Sequence, residues 1–159
     1  MQIRIIAVGK LKEKYWREAV REYSKRMKPY AVVEIIEVAE QRTADHPSPV
    51  EIEQVLRKEG AQIAKLIPSS AYVIPLAIAG ERLSSEGLSG FIDRLIFAGK
   101  SKIVFIIGSS YGISREILEK GDFLLSFSPM TFPHQMMRVI LLEQIYRSMK
   151  ILKHEPYHK

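Results

Sequence analysis

The sequence lacks cysteine and long hydrophobic runs, and both absences limit what the protein can be. Without cysteine it can form no disulfide bond, no thiolate metal site and no cysteine nucleophile. No apolar stretch reaches the roughly 20 residues that a membrane-spanning helix needs. The segment from Met1 to Ile6 leads directly into a strand-like pattern and does not have the layout of a signal peptide. We therefore expect a cytoplasmic protein.

Two nucleotide-binding motifs are missing as well. Gly99-Lys100-Ser101 resembles the end of a phosphate-binding loop, but Arg94 occupies the place of the earlier glycine. The same three residues precede a predicted strand, whereas a phosphate-binding loop opens a helix. The chain also contains no G-x-G-x-x-G fingerprint. Neither kind of nucleotide site is predicted.

The chain of 159 residues is long enough for one hydrophobic core and too short for two domains that each have a core of ordinary size. Residues 1–159 are therefore predicted to form a single domain. Strand-like and helical segments alternate five times, which predicts an α/β fold with a mostly parallel sheet and helices on both faces. The strand-like segments are residues 2–8, 31–38, 71–79, 103–107 and 123–128. Pro75 should interrupt the third strand or lie near an edge, and Gly60 weakens the second helix.

The last predicted helix, residues 133–151, is apolar over most of its circumference. Its two apolar stripes include Met137, Ile140, Leu141 and Ile145 on one side and Met136, Val139, Leu142 and Tyr146 on the other. Such a helix needs burial on two sides. One small sheet supplies one side, so we expect a second subunit to supply the other.

The net charge of +6 is concentrated at the two ends of the chain. Residues 1–28 carry nine Lys and Arg against three Glu, and the last 29 residues carry five against two, with three of the four histidines. Residues 29–130 carry ten basic against thirteen acidic side chains. If the two ends meet, they form a patch suited to phosphate backbones, with Arg17 and Arg21 as candidate contacts. The alternative is a solvated helix face with i,i+4 salt pairs.

Two loops in the last third of the chain follow predicted strands. They are Gly108-Ser109-Ser110-Tyr111-Gly112 and Pro129-Met130-Thr131-Phe132-Pro133-His134. Open α/β sheets bind ligands beyond the carboxyl ends of their strands, where such loops lie. Spacing alone agrees equally well with a ligand pocket and with ordinary turns between strand and helix.

Four stretches carry a resemblance to a known family. They are Gly108-x-x-x-Gly112, residues 126–135, residues 142–147 and the ending Pro156-Tyr157-His158-Lys159. Here, and at Ala7-Val8-Gly9-Lys10, the sequence closely resembles the small SPOUT-class methyltransferases that modify N3 of a pseudouridine in large-subunit (23S) ribosomal RNA. The resemblance covers the whole chain, and the Met-Thr-Phe-Pro-His segment with the Tyr-His-Lys ending is highly specific. Ser109 departs from the pattern, because most members are expected to have a second glycine there.

The resemblance implies a homodimeric enzyme that uses S-adenosylmethionine and no metal, and that does not act at a membrane. It also implies a SPOUT-type sheet whose C-terminal segment forms a trefoil knot, whereas the general rarity of knots would favour an open flavodoxin-like sheet. The substrate would be large-subunit ribosomal RNA, free or within the assembled ribosome. The implied cofactor contacts are Leu76, Gly108, Phe127, Ser128, Pro129, Met130, Thr131 and Phe132.

The residue types agree with this chemistry. Adenine needs an apolar slot with backbone donors and acceptors, which loops rich in Gly, Ser and Pro expose. Methyl transfer from a sulfonium requires in-line positioning, without a metal or a covalent enzyme intermediate. The proton on N3 also needs an acceptor. His158 is the first candidate, because histidine titrates nearest neutrality.

Three weaker catalytic candidates accompany His158. His134 is a possible second base, Tyr157 a positioning group, and Arg138 a clamp on a phosphate or carbonyl group. His134 also fits the description of a capping or packing residue in a first helical turn. Other functions stay open: a non-catalytic RNA-binding module, a SPOUT methyltransferase acting on another RNA site, and a nucleotide- or flavin-binding protein of flavodoxin-like architecture.

Overall fold

The computed structural model describes all 159 residues and confirms the alternation of strands and helices. In chain order the elements are β1 (Gln2–Val8), α1 (Lys14–Met27), β2 (Val32–Val38), α2 (Pro49–Leu66), β3 (Tyr72–Arg82), α3 (Ser85–Phe97), β4 (Lys102–Ile107), α4 (Arg115–Glu119), β5 (Leu125–Ser126) and α5 (His134–Leu152). The main difference from expectation is β5, which has two residues, whereas the apolar pattern covers 123–128.

The five strands pair in parallel in the order β2-β1-β4-β3-β5. Because all strands run the same way, the loops that follow them leave from one edge of the sheet, which we call the carboxyl edge. The ladder between β3 and β4 ends at Pro75, as the missing N–H of proline predicts. Beyond it, β3 pairs with β5, with a register shift between Leu76 and Glu81.

Helices cover both faces of the sheet, as predicted. Alternate residues of a strand point to opposite faces, so Ile3 and Ile5 of β1 pack with α1, α3 and α5. Ile6 and Val8 of the same strand pack with α2 and α4. The α/β fold is therefore a three-layer arrangement with one core on each side of the sheet.

Helix α2 is continuous through Gly60. It begins with a capping box, in which the Ser48 side chain and the Glu51 carboxylate satisfy each other's main-chain N–H groups. A Cβ atom on Gly60 would lie 2.3 Å from Ser114 Oγ. Glycine at this position therefore serves the close packing of α2 on the segment before α4.

Helix α5 packs against both α1 and α3, over β1 and β4. Leu141 and Ile145 are 0% exposed within the single chain. Part of the covering that we assigned to a second subunit therefore comes from the same chain. Met136 and Ile140 are only half-buried and belong to neither core.

None of the helices combines the length and apolar character that a membrane span needs. The trefoil knot stays a prediction from the resemblance.

Candidate active site

Three neighbouring strands end where the resemblance implies the cofactor. β4, β3 and β5 lie side by side, and Leu76 of β3 stands opposite Leu125 of β5. A Cβ atom on Gly80 would lie 2.6 Å from the carbonyl oxygen of Leu124, so these two backbones approach closely. Leu76, Gly108 and Phe127 thus belong to adjacent strands or to the loops that follow them.

A cleft of about 310 Å³ opens between β5, α5 and the start of α3. Its lining residues are Leu83, Ser84, Ser85, Leu88, Leu125, Ser126, Phe127, Ile140 and Gln144. Apolar walls with a few hydroxyl and amide groups are typical of a small-molecule site, and such sites measure about 300–1,000 Å³. The cleft has this composition and lies at the lower end of that range.

Phe127 is the only predicted cofactor contact that lines this cleft. Met130 is 71% exposed, and Pro129 and Thr131 are exposed as well. The main-chain N–H of Met130 donates to Ser128 Oγ over 3.0 Å, which gives the loop a defined turn. In this structure residues 129–131 of the loop after β5 therefore stand open to solvent and do not wall the cleft.

Several lining residues were not among the predicted contacts. Ser84 and Ser85 follow β3 and begin α3, and Ile140 and Gln144 lie on α5. From its apolar pattern we expected α5 to pack on the sheet and on a second subunit, and not to line a ligand site. The available signal was the position of residues 83–85 directly after a strand, because that is where open α/β sheets bind ligands.

Gly108 allows the loop after β4 to turn back tightly on itself. A Cβ atom at this position would lie 2.1 Å from the carbonyl oxygen of Gly112, which is closer than any van der Waals contact. The Gly112 N–H donates to the Ser109 carbonyl over 2.9 Å, and Gly112 has a φ of +99°, which favours glycine. The loop therefore requires glycine for its own closure, independently of any ligand.

Arg138, the candidate clamp on a substrate group, is enclosed within the chain. The side chain is 0% exposed and its Nη1 lies 2.6 Å from Glu37 Oε1. Its Nη2 donates to the main-chain carbonyls of Gly9 and Val8. The guanidinium therefore ties α5 to the ends of β1 and β2, and its role as a clamp stays a prediction.

His134 also lies at the end of β1. Its Nε2 would be 2.9 Å from a Cβ atom on Gly9. Burial lowers the pKa of His134, the nearby Arg138 lowers it further, and Glu40 partly opposes both effects. The imidazole is therefore neutral at pH 7. It does not line the cleft, so it has the surroundings of a packing residue, and its role as a base stays a prediction.

Tyr157 is held on the surface of α5. Its hydroxyl donates to Glu143 Oε1 over 3.2 Å, and its ring meets Tyr146 edge to face at a centroid distance of 5.0 Å. Burial raises the pKa of Tyr157 to about 12, with help from the Tyr23 hydroxyl and the Glu143 carboxylate. The phenol stays protonated at neutral pH, so Tyr157 is suited to positioning rather than to accepting a proton.

His158 lies between α3 and α5. Its Nε2 is 2.6 Å from Glu86 Oε1, and its Nδ1 is 3.3 Å from Arg147 Nη1. A guanidinium only donates, so a neutral imidazole accepts at Nδ1 and donates from Nε2. Both ring nitrogens are therefore engaged in this arrangement.

Side-chain hydrogen bonds connect the tail to the cleft. Ser85 Oγ donates to Gln144 Oε1, and Gln144 Nε2 donates to Glu143 Oε2, each over 2.7 Å. Arg147 pairs with the same Glu143 at 2.6 Å. Since Ser85 and Gln144 line the cleft, the structure brings Tyr157 and His158 to its rim.

The contact between His158 and Glu86 depends on pH. The pKa of Glu86 is lowered to about 2, first by its own main-chain N–H, then by the His158 imidazole and the Ser84 hydroxyl. Because the folded-state pKa lies below the ordinary value of 4.5, the stabilising effect is present above that value and is lost as the pH falls towards about 2. The Glu86 carboxylate is thus ionised, and can accept from His158, through the neutral range.

No group of three or more His, Asp or Glu side chains is arranged to hold a metal ion.

The parallel sheet and the cleft at its carboxyl edge agree with a comparison against protein families. The family model described as "Predicted SPOUT methyltransferase" matches residues 1–158. The chain belongs to this family of methyltransferases.

Individual relatives extend the comparison. The chain is 52% identical over 159 residues to the ribosomal RNA large subunit methyltransferase H of Carboxydothermus hydrogenoformans, and the alignment covers all of both chains. It is 54% identical over 159 residues, again all of both chains, to a protein of Methanococcus maripaludis that carries the same name in provisional form.

Proposed function

We propose that the protein is an S-adenosylmethionine-dependent methyltransferase that methylates N3 of a pseudouridine in large-subunit (23S) ribosomal RNA, as a cytoplasmic homodimer. The observation that carries the proposal is the full-length identity of 52% and 54% to proteins named for methylation of this RNA. The small-molecule cleft at the carboxyl edge supports it.

The residues around the cleft fit S-adenosylmethionine. Leu83, Leu88 and Phe127 offer an apolar surface for adenine, while Ser85 and Gln144 offer hydrogen-bonding groups. The bound cofactor supplies an electrophilic methyl group. We infer that Leu76, Gly108 and the loop of Phe127, Ser128, Pro129, Met130, Thr131 and Phe132 complete the site, with this open loop folding over the ligand.

His158 is the proposed acceptor of the N3 proton, and Tyr157 the group that positions the base. Both are supported by their place at the rim of the cleft. Accepting a proton requires a free lone pair on the imidazole. Nδ1 would therefore have to leave Arg147, so the tail is proposed to move when RNA binds.

A homodimer is supported by an apolar patch on the surface of the single chain. Met130 is 71% exposed, and Met136 and Ile140, four residues apart on α5, are half-buried outside both cores. Such a patch at the start of α5 is suited to a second copy. Ile145, which we expected in the interface, is buried in the chain itself.

RNA recognition is proposed for the groove between α1 and the outer edge of β2, which we call the α1 groove. It has a volume of about 690 Å³ and is lined by Arg21, Lys25 and Lys28, which form no ion pair. The two carboxylates in its wall, Glu18 and Glu22, are each paired with another cation of α1. The unpaired cations follow one another at about 4.5–6 Å along the helix axis and suit a phosphate backbone.

Arg17 is less suited to this role than its sequence position suggests. Its Nη1 donates to the main-chain carbonyls of Leu11 and Lys12 over 3.1 Å and 2.6 Å. It therefore holds the segment that leads into α1.

The cofactor site is tested by Gly108→Ala. We expect about a tenfold or greater loss of S-adenosylmethionine affinity, because the added Cβ strikes the Gly112 carbonyl and displaces the loop. Calorimetry measures this directly. The control is Gly90→Ala, where the nearest atom to the new Cβ is 3.8 Å away. Unchanged affinity in Gly108→Ala would remove the loop from the site, and a wild-type protein that binds RNA but no cofactor would be an RNA-binding module.

The proton-acceptor role is tested by His158→Ala in single-turnover methylation. The loss of a positioned general base should slow the reaction by about 10²–10⁴-fold, with cofactor and RNA affinities unchanged. His46→Ala, which alters an exposed histidine of another loop, is the control. A rate equal to that of wild type would mean that another group or water takes the proton.

The dimer is tested by Met136→Lys, which alters the apolar patch without touching the residues that line the cleft. A charge buried without a partner is costly, so the variant should sediment as a monomer and the wild type as a dimer at micromolar concentration. Val50→Lys, at a 63% exposed position on α2, should remain dimeric. A monomeric wild type would contradict the proposal.

The α1 groove is tested by the salt dependence of RNA binding. Replacing Arg21, Lys25 and Lys28 by Ala should weaken binding and flatten the slope of log affinity against log salt by roughly 0.7–0.9 for each phosphate that the variant no longer neutralises. Cofactor affinity should not change. The matched control replaces three exposed cations of α2, Arg57, Lys58 and Lys65. Equal slopes in the two variants would place RNA elsewhere.

A further inference from the structure

A buried carboxylate of α2 reaches the loop that follows β4. Glu59 is 2% exposed, and its two oxygens accept hydrogen bonds from different segments of the chain. Ser109 Oγ donates over 2.9 Å, and the main-chain N–H of Gln41 donates over 3.0 Å. A carboxylate removed from water is costly unless it is hydrogen-bonded. The two hydrogen bonds therefore stabilise the buried Glu59, and Glu59 in turn fixes the positions of the two donors.

The next residue of α2 faces the same loop. Gly60 has no side chain, and a Cβ atom there would lie 2.3 Å from Ser114 Oγ. Two consecutive residues of α2 therefore contact residues 109–114. Glu59 forms a hydrogen bond, and Gly60, which has no side chain, allows close packing. This accounts for a glycine inside a helix, where it is otherwise unfavourable.

A second contact holds the loop from the side of β2. Thr43 Oγ1 lies 3.1 Å from the Tyr111 hydroxyl. Thr43 and Gln41 both belong to the segment between β2 and α2. The loop after β4, which begins at Gly108, is therefore fastened by two other elements of the chain.

We propose that Glu59 is a positioning residue for the cofactor: through Ser109 it fixes the conformation of the loop 108–112 and so sets the affinity for S-adenosylmethionine. The inference rests on the proposed function.

Stability alone does not require a carboxylate at this position. Buried charged groups can often be replaced by apolar side chains of similar volume without loss of stability. A carboxylate, unlike an apolar side chain, fixes the positions of its neighbours, because each of its two oxygens accepts from one donor at a defined place. Here one donor lies on each side, in the loops after β2 and β4.

The first test is Glu59→Met. Methionine keeps nearly the same length, but it has no oxygen to accept from the Ser109 hydroxyl or from the Gln41 N–H. Calorimetry should show about a tenfold weaker affinity for S-adenosylmethionine. The KM for RNA and the kcat at saturating cofactor should stay within about twofold of wild type. Glu53→Met, which alters an exposed and unpaired acid on the same helix, should match wild type in every measurement.

A second variant keeps the test valid if Glu59→Met does not fold. Ser109→Ala removes only the hydroxyl and should also weaken the affinity about tenfold. The double variant should be no weaker than Glu59→Met alone, because the hydrogen bond that Ser109→Ala removes is already absent there. Wild-type affinity in both single variants, a lowered melting temperature alone, or additive effects would overturn the inference while leaving the proposed function intact. A wild-type protein that does not bind the cofactor would overturn both.

Discussion

One buried guanidinium determines where the last helix lies, and the candidate site depends on that helix. Arg138 is fully buried, pairs with Glu37, and donates to the carbonyl of Gly9. It thereby joins the second turn of α5 to the ends of β1 and β2. A buried guanidinium that loses its hydrogen-bond partners is costly. Other positions of α5 are therefore strongly disfavoured.

Beyond Arg138, α5 carries further side chains at helical spacing that contact the cleft and the C-terminal tail. Ile140 and Gln144, four residues apart, reach the cleft. Glu143 and Arg147, also four apart, pair with each other and contact the C-terminal tail. Because residues at this spacing share one side of a helix, one element supplies both a wall of the cleft and the support of the tail. The helix that looked from its pattern like an interface is in large part the framework of the site.

The sequence predicted the strands and helices well, because their signals are local. The apolar run in β4 and the Ser-x-x-Glu start of α2 each depend on neighbouring residues. The anchoring contacts of Arg138 were not foreseen, because an arginine that clamps a substrate and one that anchors a helix have the same residue type. Its partner Glu37 is 101 residues away, and no local pattern connects them. The exposure of Met130 was not foreseen either, since it depends on how the whole surface is assembled.

The sequence by itself determined the α/β class and the resemblance to SPOUT methyltransferases, because periodicity and short motifs are properties of adjacent residues. Tertiary structure alone decided the strand order, which places β4 between β1 and β3, and the cleft where α3 and α5 meet β5. It also decided the contact between Glu59 and Ser109, which are 50 residues apart. These features depend on which distant segments pack together. That packing is determined by the need to bury both faces of the sheet.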